Sequence, residues 1–393
     1  MSTPQPVARL GPLFGAGFVT AFGAHGIAAN LGAYSTDLAT HLFTLGVLLA
    51  LYDGAEVVLK PVFGSLADRI GPKPVLLGGL VAFAVASAAF VVAGNPALLG
   101  VARFAQGAAA AAFSPAAGSM IARLAPNQRH GRAFGGYGAW KGLGYTLGPV
   151  LGGALVALGG YTLLFAVLTG LALAVACWAA LSVPRVPPLP RSRQTVLDLA
   201  RRLSQPAFLL PTTALAATTA ALSVGVGFLP VLGAQAGLGP ITTGAAVSLL
   251  AASAALTQPV VGRARDAGRV AGRVGMALGL VVTAAGLAVP VVLPGLAGLL
   301  AAALAIGVGI GLVTPLAFAA LASAGPPERT GQTMGSAEVG RELGDAGGPL
   351  LVGAVAVPLT LTGGLLGLAG VVAVTAVLIG RSDPRSRQGT SRL

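Results

Sequence analysis

The chain has 393 residues, of which 55% are apolar and a further 59 are Gly, with only 24 Lys and Arg and 11 Asp and Glu. A charged content of 9%, against roughly a quarter in an ordinary soluble domain, and a mean hydropathy of +0.85 exclude a water-soluble fold. The net charge of +13 does not mark a nucleic-acid binder, because stacking aromatics make up only 5% and the basic residues are not gathered on a soluble face. One cysteine, Cys177, leaves no disulfide framework and no thiolate metal cluster, and the sequence implies neither metal nor cofactor. Runs free of Lys, Arg, Asp and Glu cover 142–184, 203–262 and 274–327. Each has room for two crossings joined by a tight turn, since one crossing takes about 20 apolar residues. With Gly, Pro and Asn clusters read as turns, the sequence predicts spans over 11–33, 37–62, 74–94, 97–121, 134–157, 160–182, 208–232, 240–262, 273–292, 295–322, 332–357 and 362–380. The first has only Arg9 as a basic flank and eleven spans behind it, which argues against a cleaved signal peptide.

Twenty of the 24 basic residues fall in the loops of one side, and the loops near 33–36, 94–96, 159–161, 233–239, 293–294 and 358–361 hold none. Because basic loops stay in the cytoplasm, this predicts a multi-pass protein of the cell membrane with both termini cytoplasmic. The longest polar stretch, 184–206, is rich in Pro and Arg and then reads as a short amphipathic helix, TVLDLARRL. The expected organisation is therefore a six-helix bundle over 1–183, a cytoplasmic linker over 184–206, a second six-helix bundle over 207–380 and a cytoplasmic tail over 381–393. The halves echo each other, as parallel repeats about an axis along the membrane normal do. At a shift of 198, Lys60-Pro61-Val62, Gly64 and Asp68 match Gln258-Pro259-Val260, Gly262 and Asp266. At a shift of 200, Gly144, Gly148, Pro149 and Gly153 match Gly344, Gly348, Pro349 and Gly353.

The loop Gly64-Ser-Leu-Ala-Asp68-Arg69-Ile-Gly71-Pro-Lys73 resembles the G-x-L-A-D-R-x-G-R-K signature of the major facilitator superfamily, with Pro72 where that family usually has Arg. A degenerate copy occurs at Gly262-Arg-Ala-Arg-Asp266-Ala-Gly268-Arg269. The resemblance implies an all-α fold of twelve transmembrane helices in two pseudo-symmetric six-helix bundles. It also implies that Asp68 latches the cytoplasmic side against the start of the eleventh span; glycines permit the tight approach and a carboxylate is favoured at a helix N-terminus. The plainer alternative is a turn whose charges only set topology. Arg103-Phe-Ala-Gln106-Gly107 is similar to the R-x-x-Q-G segment of proton-coupled members; Arg103 either modulates a neighbouring acid or snorkels to the interface. Gly144-Tyr-Thr-Leu-Gly148-Pro149-Val-Leu-Gly152-Gly153 matches the antiporter segment G-x-x-x-G-P-x-x-G-G. Its small residues let helices meet backbone to backbone, its Pro bends the helix, and the resemblance makes it a mark of export.

Nine ionisable residues lie within spans, where each is costly and by default functional. Asp53, Glu56 and Lys60 share one face of span 2, and Glu338, Arg341, Glu342 and Asp345 one face of span 11; Arg103 and Lys141 lie in spans 4 and 5. In the resembled fold spans 2 and 11 meet between the halves, so Lys60 is expected to face Glu338 or Glu342, and Arg341 to face Asp53 or Glu56. The other seam, spans 5 and 8, offers Lys141 and the uncharged Gln258. Four bases against five acids leave one carboxylate over, and a buried unpaired carboxylate tends to hold a proton. Asp53 or Glu56 is the favoured carrier, then Asp345; the alternative is an ionic interlock alone. His25, Asn30 and Gln106 are weaker cavity candidates, and the stripe Phe14, Phe18, Phe22 reads as packing.

The sequence expectation is a secondary active transporter, not an enzyme, that exchanges protons for a small apolar or amphipathic compound, working as a monomer. A same-fold importer or metabolite exporter is the alternative. Tyr52-Asp53 with Leu343-Gly344-Asp345 partly resembles intramembrane aspartyl proteases, but Glu342 replaces the first Gly of their second motif and bases share the seam. No G-x-x-x-x-G-K-[ST] loop for nucleotide phosphates occurs.

Overall fold

A computed structural model describes residues 10–31, 42–92, 96–189, 201, 203–324, 327–356 and 358–381. Most of the predicted linker helix, the start of span 2 and the tail after 381 lie outside the described residues, as do the side chains of Asn30 and Pro149.

Twelve helices run through the described residues, with no strand among them. They are α1 (Gly11–Leu31), α2 (Leu42–Ile70), α3 (Pro72–Val92), α4 (Pro96–Leu124), α5 (130–158), α6 (161–182), α7 (Pro206–Gln235), α8 (Pro240–Asp266), α9 (Gly272–Val292), α10 (Leu296–Ala324), α11 (Thr330–Ala356) and α12 (Leu361–Arg381). The α5–α6 hairpin turns within two glycines: Gly159 leaves the helical region (φ −153°, ψ 22°) and Gly160 adopts φ 68°, a left-handed value that a side chain would strain. Eight helical segments among the described residues are long and apolar enough to cross a membrane. The two helices with most of the ionisable residues, α2 and α11, are not in that group.

The helix order follows the predicted spans, but the helices on the basic side run longer than expected. Helix α2 continues to Ile70 where span 2 was placed to end at 62, so the G-x-L-A-D-R segment is not a loop: Gly64 to Ile70 form its last two turns. Gly71, with φ 94°, is the break, and Pro72 starts α3 at the first helical position, where a missing N–H costs nothing. The physical reason is that about 20 residues satisfy the hydrocarbon core, whereas α2 and α4 each have 29 residues. At about 1.5 Å of rise per residue the surplus projects into the basic side, where polarity no longer reports a helix end.

One buried cluster runs through both halves, and two main seams join them: α2 against α11 and α5 against α8. Both seams close backbone to backbone near the basic end. A Cβ on Gly64 would collide with the Gly331 carbonyl and the reverse holds, while Gly131 and Gly262 oppose each other in the same way. One turn further in, a Cβ on Gly335 would lie 2.6 Å from the Lys60 carbonyl oxygen, and one on Gly135 would lie 2.5 Å from that of Gln258. Phe134 of α5 stacks on Phe318 of α10 at 5.7 Å, adding an aromatic plug between the halves. Gly331→Val is therefore expected to part α2 from α11 at this end. With Cys177→Ser and spin labels at Arg69 and Glu328, electron–electron distance measurements should show a longer population; an unchanged distribution would mean the glycine contact is dispensable.

Candidate functional site

The α2–α11 seam gathers the ionisable residues that the sequence placed within spans. Lys60, only 1% exposed, donates to Glu56 Oε2 at 2.7 Å and to Glu342 Oε1 at 2.5 Å, and stands 3.8 Å from Glu338 Oε2. Glu338 is 2% exposed and also takes Lys141 at 3.3 Å and Arg341 at 3.2 Å. The expected pairing of Lys60 with α11 is thus present. The expected pairing of Arg341 with Asp53 or Glu56 is not: Arg341 turns back onto Glu338 one turn before it, with its guanidinium 5.9 Å over the Phe318 ring. Glu56 is already taken by Lys60, and Asp53 is exposed, a turn further from the basic end. Lys141, placed by sequence on the α5–α8 seam, reaches α11 instead, because α5 and α11 both face the central axis; it also lies 3.5 Å from Ser114 Oγ, which contacts Tyr137 at 3.4 Å.

Asp53 and Asp345 make no ion pair within 4.0 Å among the described residues; both are electrostatic neighbours of Glu342 and of each other, and Ser223 of α7 hydrogen-bonds Asp345. Arg103 does not snorkel. It is 2% exposed, lies 4.4 Å over the Tyr52 ring, and donates to Gln106 Oε1 at 2.9 Å and to the Ala24 carbonyl at 3.4 Å. Gln106 is fully buried and donates to Ser87 at 3.2 Å, and its amide oxygen holds Arg103. His25 is satisfied by the Ala21 carbonyl at 3.2 Å and meets Tyr145 edge-on at 4.3 Å.

At the basic end, Asp68 accepts from the Gly331 N–H at 2.8 Å and the Gln332 N–H at 3.0 Å, capping α11 across the seam. Its repeat Asp266 does the same for α5, accepting from Gly131 at 2.9 Å and Arg132 at 2.7 Å. A carboxylate in such a place is worth about 0.3–1 kcal/mol exposed and up to ~2 kcal/mol when partly buried. Lys73 donates to the Ala180 and Val183 carbonyls at 2.7 and 2.6 Å, closing the end of α6, while Arg69 is exposed. Gly144 and Gly148 let α5 touch α1: a Cβ on Gly144 would lie 2.6 Å from the Phe18 carbonyl oxygen and one on Gly148 3.0 Å from Gly26 N. Gly152 is buried and Gly153 half-buried on the same helix. The repeats of Gly144 and Gly148 act alike between α11 and α7, where a Cβ on Gly348 would lie 2.6 Å from the Ala220 carbonyl oxygen. Sequence reasoning missed Gly131 and Gly331, although they too are related by the shift of 200, and it missed Ser114, Tyr137 and Phe318, which have no charge to mark them.

Between the halves lies a small cavity lined by α5, α7, α8, α10 and α11. The family model described as Major Facilitator Superfamily matches residues 13–349 and 212–392. The chain belongs to the major facilitator superfamily. This carrier is similar to the quinolone resistance protein NorA of Staphylococcus aureus, 32% identical over 123 residues, 31% of this chain and 32% of NorA. It is also similar to the multidrug resistance protein MdtG of Escherichia coli, 31% identical over 167 residues, 41% of each chain. The matches thus span between about a third and two fifths of these curated relatives. In fold it resembles the human organic anion transporter TETRAN (TM-score 0.79, 17% identity, covering 95% of this chain and 100% of that one). It likewise resembles the Escherichia coli fucose:proton symporter FucP (TM-score 0.77, 14% identity, 94% and 98%). It is a multi-pass membrane transporter of the superfamily and not an enzyme.

Removing one partner of a buried pair costs about 3–5 kcal/mol because the other charge is left uncompensated. Lys60→Met is expected to lose stability on that scale in detergent, read by thermal unfolding, and the triple variant with Glu56→Gln and Glu342→Gln to regain most of it. Equal losses in both would show that Lys60 contributes packing rather than charge.

Proposed function

We propose that the chain is a proton-coupled exporter of a small apolar or amphipathic compound, working as a single copy in the cell membrane with both termini in the cytoplasm. One observation carries the reading. If α2 and α11 part, Lys60 keeps Glu56 on its own helix and Arg341 keeps Glu338 on its own, so Glu342 is the seam carboxylate left without its cation. An isolated ionised carboxylate away from water is costly, so the seam opens readily only when Glu342 carries a proton. Asp53 and Asp345, outside the ion pairs and toward the end away from the latches, give that proton a route, with Asp53 as the entry. Glu56, held by Lys60 at 2.7 Å, is the weaker carrier.

The cycle follows from that chemistry. Protonation of Glu342 from the far side releases Lys60 and lets the basic end open; loss of the proton to the basic side re-forms the pair and closes it. The excess of Lys and Arg places the basic side in the cytoplasm, so protons enter as substrate leaves. The names of NorA and MdtG, resistance proteins, support export, as does the Gly144–Gly153 segment, whose backbone contacts let α5 rock on α1.

In energised inverted vesicles, a panel of amphipathic compounds should include some that release protons from the lumen and dequench a lumenal pH dye. Asp53→Asn and Glu342→Gln are expected to abolish that release while still exchanging labelled for unlabelled substrate without a gradient. Protons moving in the same direction as substrate would make the chain a symporter, and intact coupling in both variants would leave the charges as an interlock only.

A further inference from the structure

We propose that the tail of the chain docks on the second half: residues 382–385 lie across the basic end of α9 and α12, with Asp383 held by Arg273. The inference goes beyond the transport reading and does not depend on it. Its starting point is a strap on the first half. Beyond α6 the chain crosses the basic end of that half as an irregular segment, 183–189. Lys73 of α3 donates to the Ala180 and Val183 carbonyls, Arg123 of α4 donates to the Pro187 carbonyl at 2.6 Å, and the Leu189 N–H donates to the Asp68 carbonyl at 2.8 Å. That last bond satisfies one of the carbonyls that the end of α2 leaves open.

The internal repeat carries this arrangement to the second half. Under the shift of 200, α3 and α6 become α9 and α12: Leu168, Ala172 and Ala179 are buried in α6, as Leu368, Val372 and Ile379 are in α12. Lys73 becomes Arg273, and Ser182-Val-Pro184-Arg185 becomes Ser382-Asp-Pro384-Arg385. A Cβ on Gly380 would lie 3.9 Å from the Ala277 methyl; Arg273 is one turn nearer the basic end of α9 and so level with the residues that follow Arg381. Its Nη1 is buried and has no hydrogen-bond partner among the described residues, a donor of the kind that native structures pair. Asp383 is the one acidic residue of the tail and takes the place of Val183, so a carboxylate is at hand where the first half offers only carbonyls. The docked stretch is short for a reason. Ser323, the repeat of Arg123, donates to its own helix at Ala319, and α8 closes its own end, with the Gly268 and Arg269 N–H groups on the Arg265 and Ala264 carbonyls, each at 2.9 Å. Neither calls for a counterpart of Pro187 or Leu189, so only the Lys73 contact is repeated.

The test uses the full chain in a neutral detergent. With Cys177→Ser and spin labels at Arg269, which is exposed, and at Ser386, one narrow distance population is expected, and it should broaden in Asp383→Asn. Trypsin cutting after Arg385, followed by mass spectrometry, measures how often the segment lifts, since cleavage tracks the open population when reclosing is fast. Asp383→Asn should speed that cut about tenfold or more, the scale of one charge-assisted hydrogen bond; the substitution lies beyond the last helix, so its effect does not report misfolding. Arg273→Gln should speed the cut at least as much, adding Asp383→Asn to it should bring no further rise, and Arg273→Lys should keep most of the protection, as the lysine at 73 does on the first half. Equal cutting with and without the Asp383 carboxylate, additive effects of the two substitutions, or a broad distance distribution in the otherwise unaltered chain would overturn the proposal. So would protection seen only in vesicles of anionic lipid, which would assign the tail to lipid headgroups instead.

Discussion

A single carboxylate, Glu338, holds the two halves in register. Three cations from three helices converge on it: Lys60 from α2, Lys141 from α5 and Arg341 from its own α11. Ions buried this deeply cost several kcal/mol each to dehydrate, and the cost is recovered only while their partners stay in place. The arrangement is therefore a poor source of stability and is sensitive to the loss of any one partner. Every motion that separates α2 or α5 from α11 must leave each charge with a partner on its own side or neutralise it. Two internal pairs, Lys60 with Glu56 and Arg341 with Glu338, meet that condition for four charges; Lys141 and Glu342 are the pair of opposite charges that opening strands on different halves.

The latches at the basic end obey a different rule. Asp68 and Asp266 bind backbone N–H groups at the first turns of α11 and α5, peptide dipoles that cannot be titrated, and Asp266 also lies 3.6 Å from Arg265. Each such cap is worth far less than breaking a buried pair. The latches set the geometry of closure, glycine opposite glycine, while the buried seam sets its free energy. Rigid alignment by backbone contact and chemical control by side-chain charge are separated by about three turns of helix, from Gly331 to Glu342.

How much of this the sequence made legible depends on what carries each feature. Hydropathy and basic loops mark the helices in order, because crossing lipid imposes both composition and length. Helix ends on the basic side were misplaced, since α2 and α8 run on as helix through Asp68 and Asp266, beyond the length the bilayer demands. Charge spacing on α2 and α11 put the right residues on one face, and Lys60 found α11 as expected. Arg341 and Lys141 did not find their expected partners, because which carboxylate wins depends on competition among neighbours in three dimensions: Glu338 can be reached from three helices and Glu56 was already occupied. The cavity was legible only in part: Lys141, Gln258 and Arg341 in its lining were marked by the sequence, whereas Phe134, Tyr137, Thr314 and Phe318 are residue types that elsewhere in this chain are only packing.

The internal repeat shows where one seam is charged and the other neutral. Under the shifts of 198 and 200, Lys60 corresponds to Gln258, Glu338 to Gly138 and Glu342 to Gly142. The α5–α8 seam therefore has the same geometry with the charges removed: the Gln258 amide fills the space at Gly138, and Gly142 meets Ala255 at ordinary contact, 3.5 Å from a Cβ to its methyl. Close-packed neutral surfaces of this kind slide or tilt without stranding a charge. Across α2–α11 the same displacement strips Glu342 of Lys60. Of the two joints between the halves, one is thus a bearing and the other a lock, and the cavity cations Lys141 and Arg341, themselves equivalent under the shift of 200, stand one on each half. Symmetry supplies the matching cations; its breaking at 338 and 342 supplies the carboxylates that pair with Lys141 and Lys60 across the halves.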